Sequence, residues 1–263
     1  YFICSGYQMY KNAINKMPLK DKITTIRQKE DYTKIDDMPQ IYLKAVVSVE
    51  DHRFYKHFGI DVISIGRAFV NDIKQMKFVE GGSTITQQLA KNIYFTQDKK
   101  IVRKVAEIFM AFSIESNYNK DEILEGYLNT INYGHGMYGI ENASQFYFNK
   151  SAADLTLAEA SILVGIPKSP SNYSPIVNYD LAKERQYMVL SGMVKNGYIT
   201  EDEKNEAYNT SLTIIGKKNN INLSTLMYYQ DAVFKELEKI DNIPTSFLDT
   251  GGLKIYTSLD LNA

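Results

Sequence analysis

The chain has 263 residues, 44% of them apolar and 23% charged, with 15 glycines and six prolines. That composition excludes wholesale disorder and collagen-like repetition, leaves room for one large domain with an appendage, and favours a mainly helical protein. Thirty basic residues stand against 31 acidic ones, for a net charge of −1, so no global basic field points to nucleic acid. A single cysteine, Cys4, excludes an internal disulfide framework and a cysteine-rich zinc site. The histidines are His52, His57 and His135, and arginines number only five against 25 lysines.

The opening, YFICSGYQMY, reads equally as a frayed tail or as the last turn of a membrane helix that lies before it. Residues 20–37 are polar, with a β-like stretch at Ile23–Ile26. Pro39 stands at a first helical position, followed by Ile41, Ala45, Val46 and Val49 at helical spacing. Asp61 caps a second helix with the apolar stripe Val62, Ile65, Phe69, Ile73 and Met76. After Gly81 and Gly82, Ser83 or Thr84 caps a third helix, to about Phe95. Helices are expected from about Lys99 to Tyr118 and from Asp121 to Asn132, then a glycine loop at 133–139. Further helices follow at 140–149, 156–165, 180–196, 201–209 and about 224–240. Thr156 with Glu159 and Thr200 with Glu203 form capping boxes. The alternation at 252–261 reads as a strand without a partner.

Four segments are dense in chemistry. VEDHRFYKHFG (49–59) packs Glu50, Asp51, His52, Arg53, Lys56 and His57 around Phe54, Tyr55 and Phe58 at the end of an apolar helix. A solvated helix end is the common fate of such a run, yet exposure would waste three aromatics. A carboxylate beside aromatic rings is partly desolvated, which strengthens it as a base. In GGSTITQQLAKN (81–92), two glycines, hydroxyls and a helix start converge on the kind of place an anion occupies. Gln87, Gln88 and Lys91 add donors, although a plain capped helix start would read the same.

On the helix beginning near Lys99, Arg103 and Glu107 are four apart, and Lys104 and Glu107 three apart. A surface pairing would contribute a few tenths of a kcal/mol, but this helix is apolar around most of its circumference. Residues 73–104 carry seven basic residues, Lys74, Lys77, Lys91, Lys99, Lys100, Arg103 and Lys104, against two acidic ones, a local anion site. The fourth segment, 125–148, sets Tyr, Asn and His around a glycine loop, which suits a sugar or peptide groove and a structural loop equally. The stretch 155–175 reads mainly as scaffold.

EDHRFYKHFG, GGSTITQQLAKN, RKVAEIFMAFSIE, YLN…YG…GI and LAEASILVGIPKSPSNYSP resemble, in order, the five motifs of family 51 glycosyltransferases. These are the peptidoglycan glycosyltransferase domains of class A penicillin-binding proteins, and the resemblance covers about 38–210. It implies a mainly α, lysozyme-like, two-lobed domain at 30–212. An N-terminal stalk at 1–29 would follow a membrane helix, and a short β-containing linker at 213–263 would lead to a transpeptidase domain. The transpeptidase's S-x-x-K, S-x-N and K-T-G elements are absent from this stretch.

By that resemblance Glu50 is the catalytic base and Glu107 the second glutamate, which positions and balances charge around the leaving group. Asp51, Arg53, His57, Ser83, Thr84, Gln87, Gln88, Lys91, Lys99, Arg103 and Lys104 fall at substrate-binding positions. Lipid II, the growing glycan chain, the membrane surface, moenomycin-type inhibitors and other cell-wall synthesis proteins are the implied partners, with no nucleic acid. No cofactor is required, and a divalent cation, Mg²⁺ or Mn²⁺, is left open at the diphosphate. The implied place is the extracytoplasmic face of a bacterial cell membrane, under a single-pass anchor. The small lobe, Phe58 to Val79, would dip into the headgroup layer. A lysozyme-like hydrolase or lytic transglycosylase, and a non-catalytic cell-wall scaffold, are the alternatives. The basic cluster between the two glutamates favours transfer from a diphosphate over either.

Overall fold

The computed structural model of the chain describes residues 1–66, 82–95 and 100–216, together with Val233 and Glu236. Phe69, Ile73, Met76, Lys74, Lys77 and Lys99, the helix expected at 224–240 apart from Val233 and Glu236, which are helical, and the strand at 252–261 lie outside the described residues.

The described part is mainly α. Its longer helices are α1 (Phe2–Lys16), α2 (Leu19–Arg27), α3 (Gln40–Glu50), α4 (Ile85–Tyr94) and α5 (Lys100–Asn117). They continue as α6 (Lys120–Leu128), α7 (Ile140–Phe148), α8 (Leu157–Gly165), α9 (Tyr179–Lys195) and α10 (Glu201–Asn209). Two isolated bridges, Phe58 with Ile60 and Asn132 with Tyr138, are the β pairing found among the described residues.

Side-chain caps fix where several of these helices begin. Thr84 with Gln87, Thr156 with Glu159 and Thr200 with Glu203 form reciprocal capping boxes. Asn119 with Glu122 adds a fourth that the sequence reading did not single out. Asp61 Oδ1 accepts from the backbone N–H of Ile63 and Ser64, as a cap should, and residues 62–66 are helical.

The β-like reading of Ile23–Ile26 is corrected, because these residues lie inside α2. Leu19, Ile23 and Ile26 bury one face at helical spacing, while the Thr24 and Thr25 hydroxyls donate back to the Lys20 and Asp21 carbonyls. Pro39 also sits one residue earlier than expected, as the cap of α3 rather than its first residue. The opening at 1–10, read from sequence as tail or membrane helix end, lies from Phe2 onward in α1, which packs along α5. Their approach is close: a Cβ on Gly6 would meet the Val105 side chain at 2.5 Å.

Two groups of helices position the site. In one, α3, α8 and α9 pack mutually, burying Tyr42, Leu43, Val46 and Val47 from α3 against Ile162, Leu163, Val189 and Leu190. Each large side chain so buried contributes about 1.5–3 kcal/mol by transfer alone. In the other, α4 packs on α5 and α6 through Ile85, Leu89 and Ile93. The carbonyl end of α3 and the amide end of α4 face the space between the groups. Glu115, buried on α5, fastens that junction by accepting from Gly59 N at 3.0 Å, Thr86 Oγ1 at 2.6 Å and Lys120 Nζ at 2.7 Å.

Candidate active site

A cleft of about 750 Å³ opens at this junction. Glu50 and Asp51 line it from the end of α3, and Ser83, Thr84, Gln88 and Lys91 from the start of α4. Lys168, Arg185 and Lys195 form its far side. That third wall was missed in the sequence, where 155–175 read as scaffold and α9 carried no assignment. Its signal was there in part, since Arg185 is one of only five arginines. Gly165 makes room for it: a Cβ there would come within 2.8 Å of Arg185 Cγ.

Glu50 ends α3 half-buried, and Gln88 Nε2 donates to its Oε2 at 2.9 Å. The next residue turns inward. Asp51 is buried, accepts from His57 Nε2 at 2.9 Å and from the Ile85 backbone N–H at 3.1 Å, and so docks the first turn of α4 onto the loop after α3. Arg53 pairs with Asp61 at 3.1 Å. Burial pushes the Asp61 carboxyl up, but hydrogen bonds from Ser64 and the charge of Arg53 leave it below its ordinary 3.8. Thus the Asp51–His57 and Arg53–Asp61 pairs hold the loop.

The helix itself stops at Glu50, so residues 51–59 form a loop with one 3-10 turn at Phe54–Lys56 and not the helix end expected from sequence. Of the three aromatics there, Phe54 is fully buried, whereas Tyr55 and Phe58 are exposed. The argument that exposure of this run would waste three aromatics holds for Phe54 alone.

On α4, Thr84 and Gln87 are buried and spent on the capping box, with the Thr84 hydroxyl also donating to Gly59 O at 2.7 Å. Ser83, Gln88 and Lys91 remain as the polar groups of α4 that reach the cleft beside Glu50. The Lys91 side chain reaches solvent, yet its ammonium lies below its ordinary 10.5. Desolvation by the surrounding walls is the first cause, and the nearby Arg103 and Lys104 cations add to it against the attraction of Glu107 and Glu50.

Behind Ser83, Glu107 is buried on α5. Lys104 Nζ donates to its Oε2 at 3.0 Å, and Arg103 Nε lies 3.0 Å from its Oε1 as an ion pair without hydrogen-bond alignment. Lys104 Nζ also donates to Ser83 Oγ at 2.5 Å. The buried charge anticipated on this helix is therefore present and paired. The helix is less enclosed than its sequence implied, since Ile101 and Phe112 are exposed. Among the described residues no three His, Cys, Asp or Glu side chains converge as a group that could hold a metal ion.

Taken together, the site offers one reachable carboxylate held by an amide, with cations on both sides. It can take a proton from a hydroxyl and bind an anion in one cleft.

Residues 19–194 match the family described as Transglycosylase. The chain is 43% identical to Penicillin-binding protein 2D of Bacillus subtilis over 237 residues, 90% of this chain and 34% of that protein. It is 46% identical to Penicillin-binding protein 1F of the same organism over 226 residues, 86% of this chain and 32% of that one. Penicillin-binding protein 1A of Neisseria flavescens is 42% identical over 233 residues, 89% and 29% of the two chains. The crystal structure of Penicillin-binding protein 1A from Haemophilus influenzae aligns with a TM-score of 0.45 and 25% identity, covering 79% of this chain and 21% of that one. The chain spans about a third of the length of the curated relatives it matches.

Proposed function

The chain belongs to the transglycosylase family, the glycosyltransferase domain of class A penicillin-binding proteins, and on that footing we propose that it polymerises lipid II into glycan chains. The 4-hydroxyl of the acceptor sugar attacks the anomeric carbon of the donor, inverting it and expelling undecaprenyl diphosphate. The proton of that hydroxyl passes to Glu50, whose Oε2 takes the Gln88 hydrogen bond and leaves the other oxygen for the substrate. The leaving diphosphate is a stable anion and needs cations and donors more than a proton. Lys91 faces it directly, with Ser83 beside it, while Arg103 and Lys104 act from behind and are kept in place by Glu107.

The observation that carries this reading is the pairing of one reachable carboxylate with cationic walls in a single cleft. A hydrolase of the same polymer needs an acid to protonate a sugar oxygen and gains nothing from such walls. Asp51, Arg53, His57, Thr84 and Gln87 serve as the frame that sets Glu50 against α4. Moenomycin-type inhibitors would compete for the anion wall, and other cell-wall synthesis proteins would bind outside the cleft. No described helix is long and apolar enough to cross a membrane, and attachment at the extracytoplasmic face is part of the same proposal.

The deciding experiment is Glu50→Gln, assayed for polymer from lipid II. Loss of turnover by 10²–10⁴-fold or more, of the order general-base catalysis contributes, with the fold and lipid II binding retained, is the expected result. Near-normal polymerisation would overturn the assignment, and glycan cleavage by the unaltered chain would replace transfer with hydrolysis.

A further inference from the structure

Gln88 holds the proposed base, yet a carboxamide has two faces, a donor NH₂ and an acceptor oxygen. Only the NH₂ face is compatible with a carboxylate at 2.9 Å, because the oxygen there would repel it. The amide must therefore be prevented from turning over, which requires a donor on its other side. Tyr127 supplies one. From α6 its hydroxyl donates to Gln88 Oε1 at 3.2 Å, while its ring lies fully enclosed in the core.

We propose that Tyr127 is a positioning residue, whose buried hydroxyl fixes the orientation of the Gln88 amide and through it the aim of Glu50. Tyr127 touches no substrate, and its effect on the reaction passes entirely through Gln88. Burial, and after it the negative charge of Glu50, push the Tyr127 phenol well above its ordinary 10.0, so it stays a donor throughout the working range. Its core placement means the hydroxyl is held by the packing of α4 against α6 and not by a mobile surface rotamer. The inference rests on Glu50 being the base.

The test is Tyr127→Phe, which keeps the ring and removes the hydroxyl, compared with Gln88→Met and the double variant. We expect kcat for lipid II polymerisation to fall about tenfold in Tyr127→Phe with KM nearly unchanged, as loss of one orienting hydrogen bond implies. In the Gln88→Met background the same substitution should cost nothing further, because the group it orients is gone. Melting temperatures identify any variant that has merely lost stability. A Tyr127→Phe protein with unchanged kcat, or one whose loss adds in full to that of Gln88→Met, would overturn the proposal. So would a loss confined to KM. Failure of the base assignment shows separately, as activity retained by Glu50→Gln.

Discussion

Lys104 Nζ sits 2.5 Å from Ser83 Oγ, joining the segment that opens α4 to the beginning of α5. Because the same ammonium donates to buried Glu107, the anion wall is one connected unit across two helices. Truncation of one partner leaves the rest of such a unit unbalanced.

Glu107→Gln should accordingly impair two things together. It leaves Arg103 and Lys104 without their shared counter-charge and frees both to move from their place behind Ser83. Lys104 is 40% exposed, so solvent screens part of the loss, and we expect about 1–3 kcal/mol of destabilisation. Polymerisation should fall by more than that stability loss explains, since the fold survives it. Calorimetry beside an activity assay checks this, and a variant with wild-type activity would remove Glu107 from the machinery.

Lys91→Ala and Arg103→Ala should each weaken binding of a phosphoglycolipid inhibitor by about 1.5–3 kcal/mol, the range for charge-assisted contacts. The two differ in their pH dependence. Only the charged ammonium of Lys91 binds an anion, and its lowered value means that charge is lost sooner as pH rises. Inhibitor affinity should therefore decline at a pH below the ordinary 10.5, and Lys91→Arg should remove that decline. Titration calorimetry across pH measures it. An alkaline decline identical in Lys91→Arg would assign the titration to another group.

Helix positions and most caps were legible because they depend on neighbours in sequence. Thr156 and Thr200 each announce a helix start by a glutamate three places on. The failure at Ile23–Ile26 came from a short window: four β-branched residues look like a strand until Leu19 completes the buried face with Ile23 and Ile26. The site divided along the same line. Glu50, Lys91 and Glu107 stood out inside dense segments, whereas Tyr127, Glu115 and Arg185 act across long sequence separations and no local spacing marks them. The family resemblance put Asp51 and His57 at substrate-binding positions, and in the structure these two side chains are hydrogen-bonded to each other.

Acid should destabilise the fold through named carboxylates. Hydrogen bonds from Asn119 and Arg27 hold Glu122 below its ordinary 4.5. Burial pushes Glu159 up, but Lys150 and Thr156 outweigh it and leave it lowered as well, as at Asp61. A depressed carboxyl contributes stability that is complete above its unfolded value and lost as pH falls through its folded one. The melting temperature should thus be flat above about pH 5 and decline below about pH 4. The decline should be shallower in Asp61→Asn, Glu122→Gln or Glu159→Gln, each starting from a lower plateau. A melting temperature that holds steady down to about pH 3 would show that these pairings contribute little.

The residues after Asp61 carry the membrane question. Val62 is 74% exposed, Ile63 61% and Ile65 41%, and close by in sequence Phe58, itself exposed, stacks on Phe112 at 6.3 Å between ring centroids. A core helix would hide these side chains, and water gains nothing from solvating them. A surface that meets headgroups would present them in this way. Replacing Val62 and Ile63 by Ser should therefore change stability by only about 0.5 kcal/mol per site, as at other exposed positions. It should also release the full chain from anionic vesicles and slow polymerisation of long-chain lipid II. If instead these side chains pack into a core, each substitution costs several kcal/mol while vesicle binding persists. Melting temperature and vesicle co-sedimentation on the same preparation separate the two outcomes, and a large melting loss with binding intact would reject the interfacial placement.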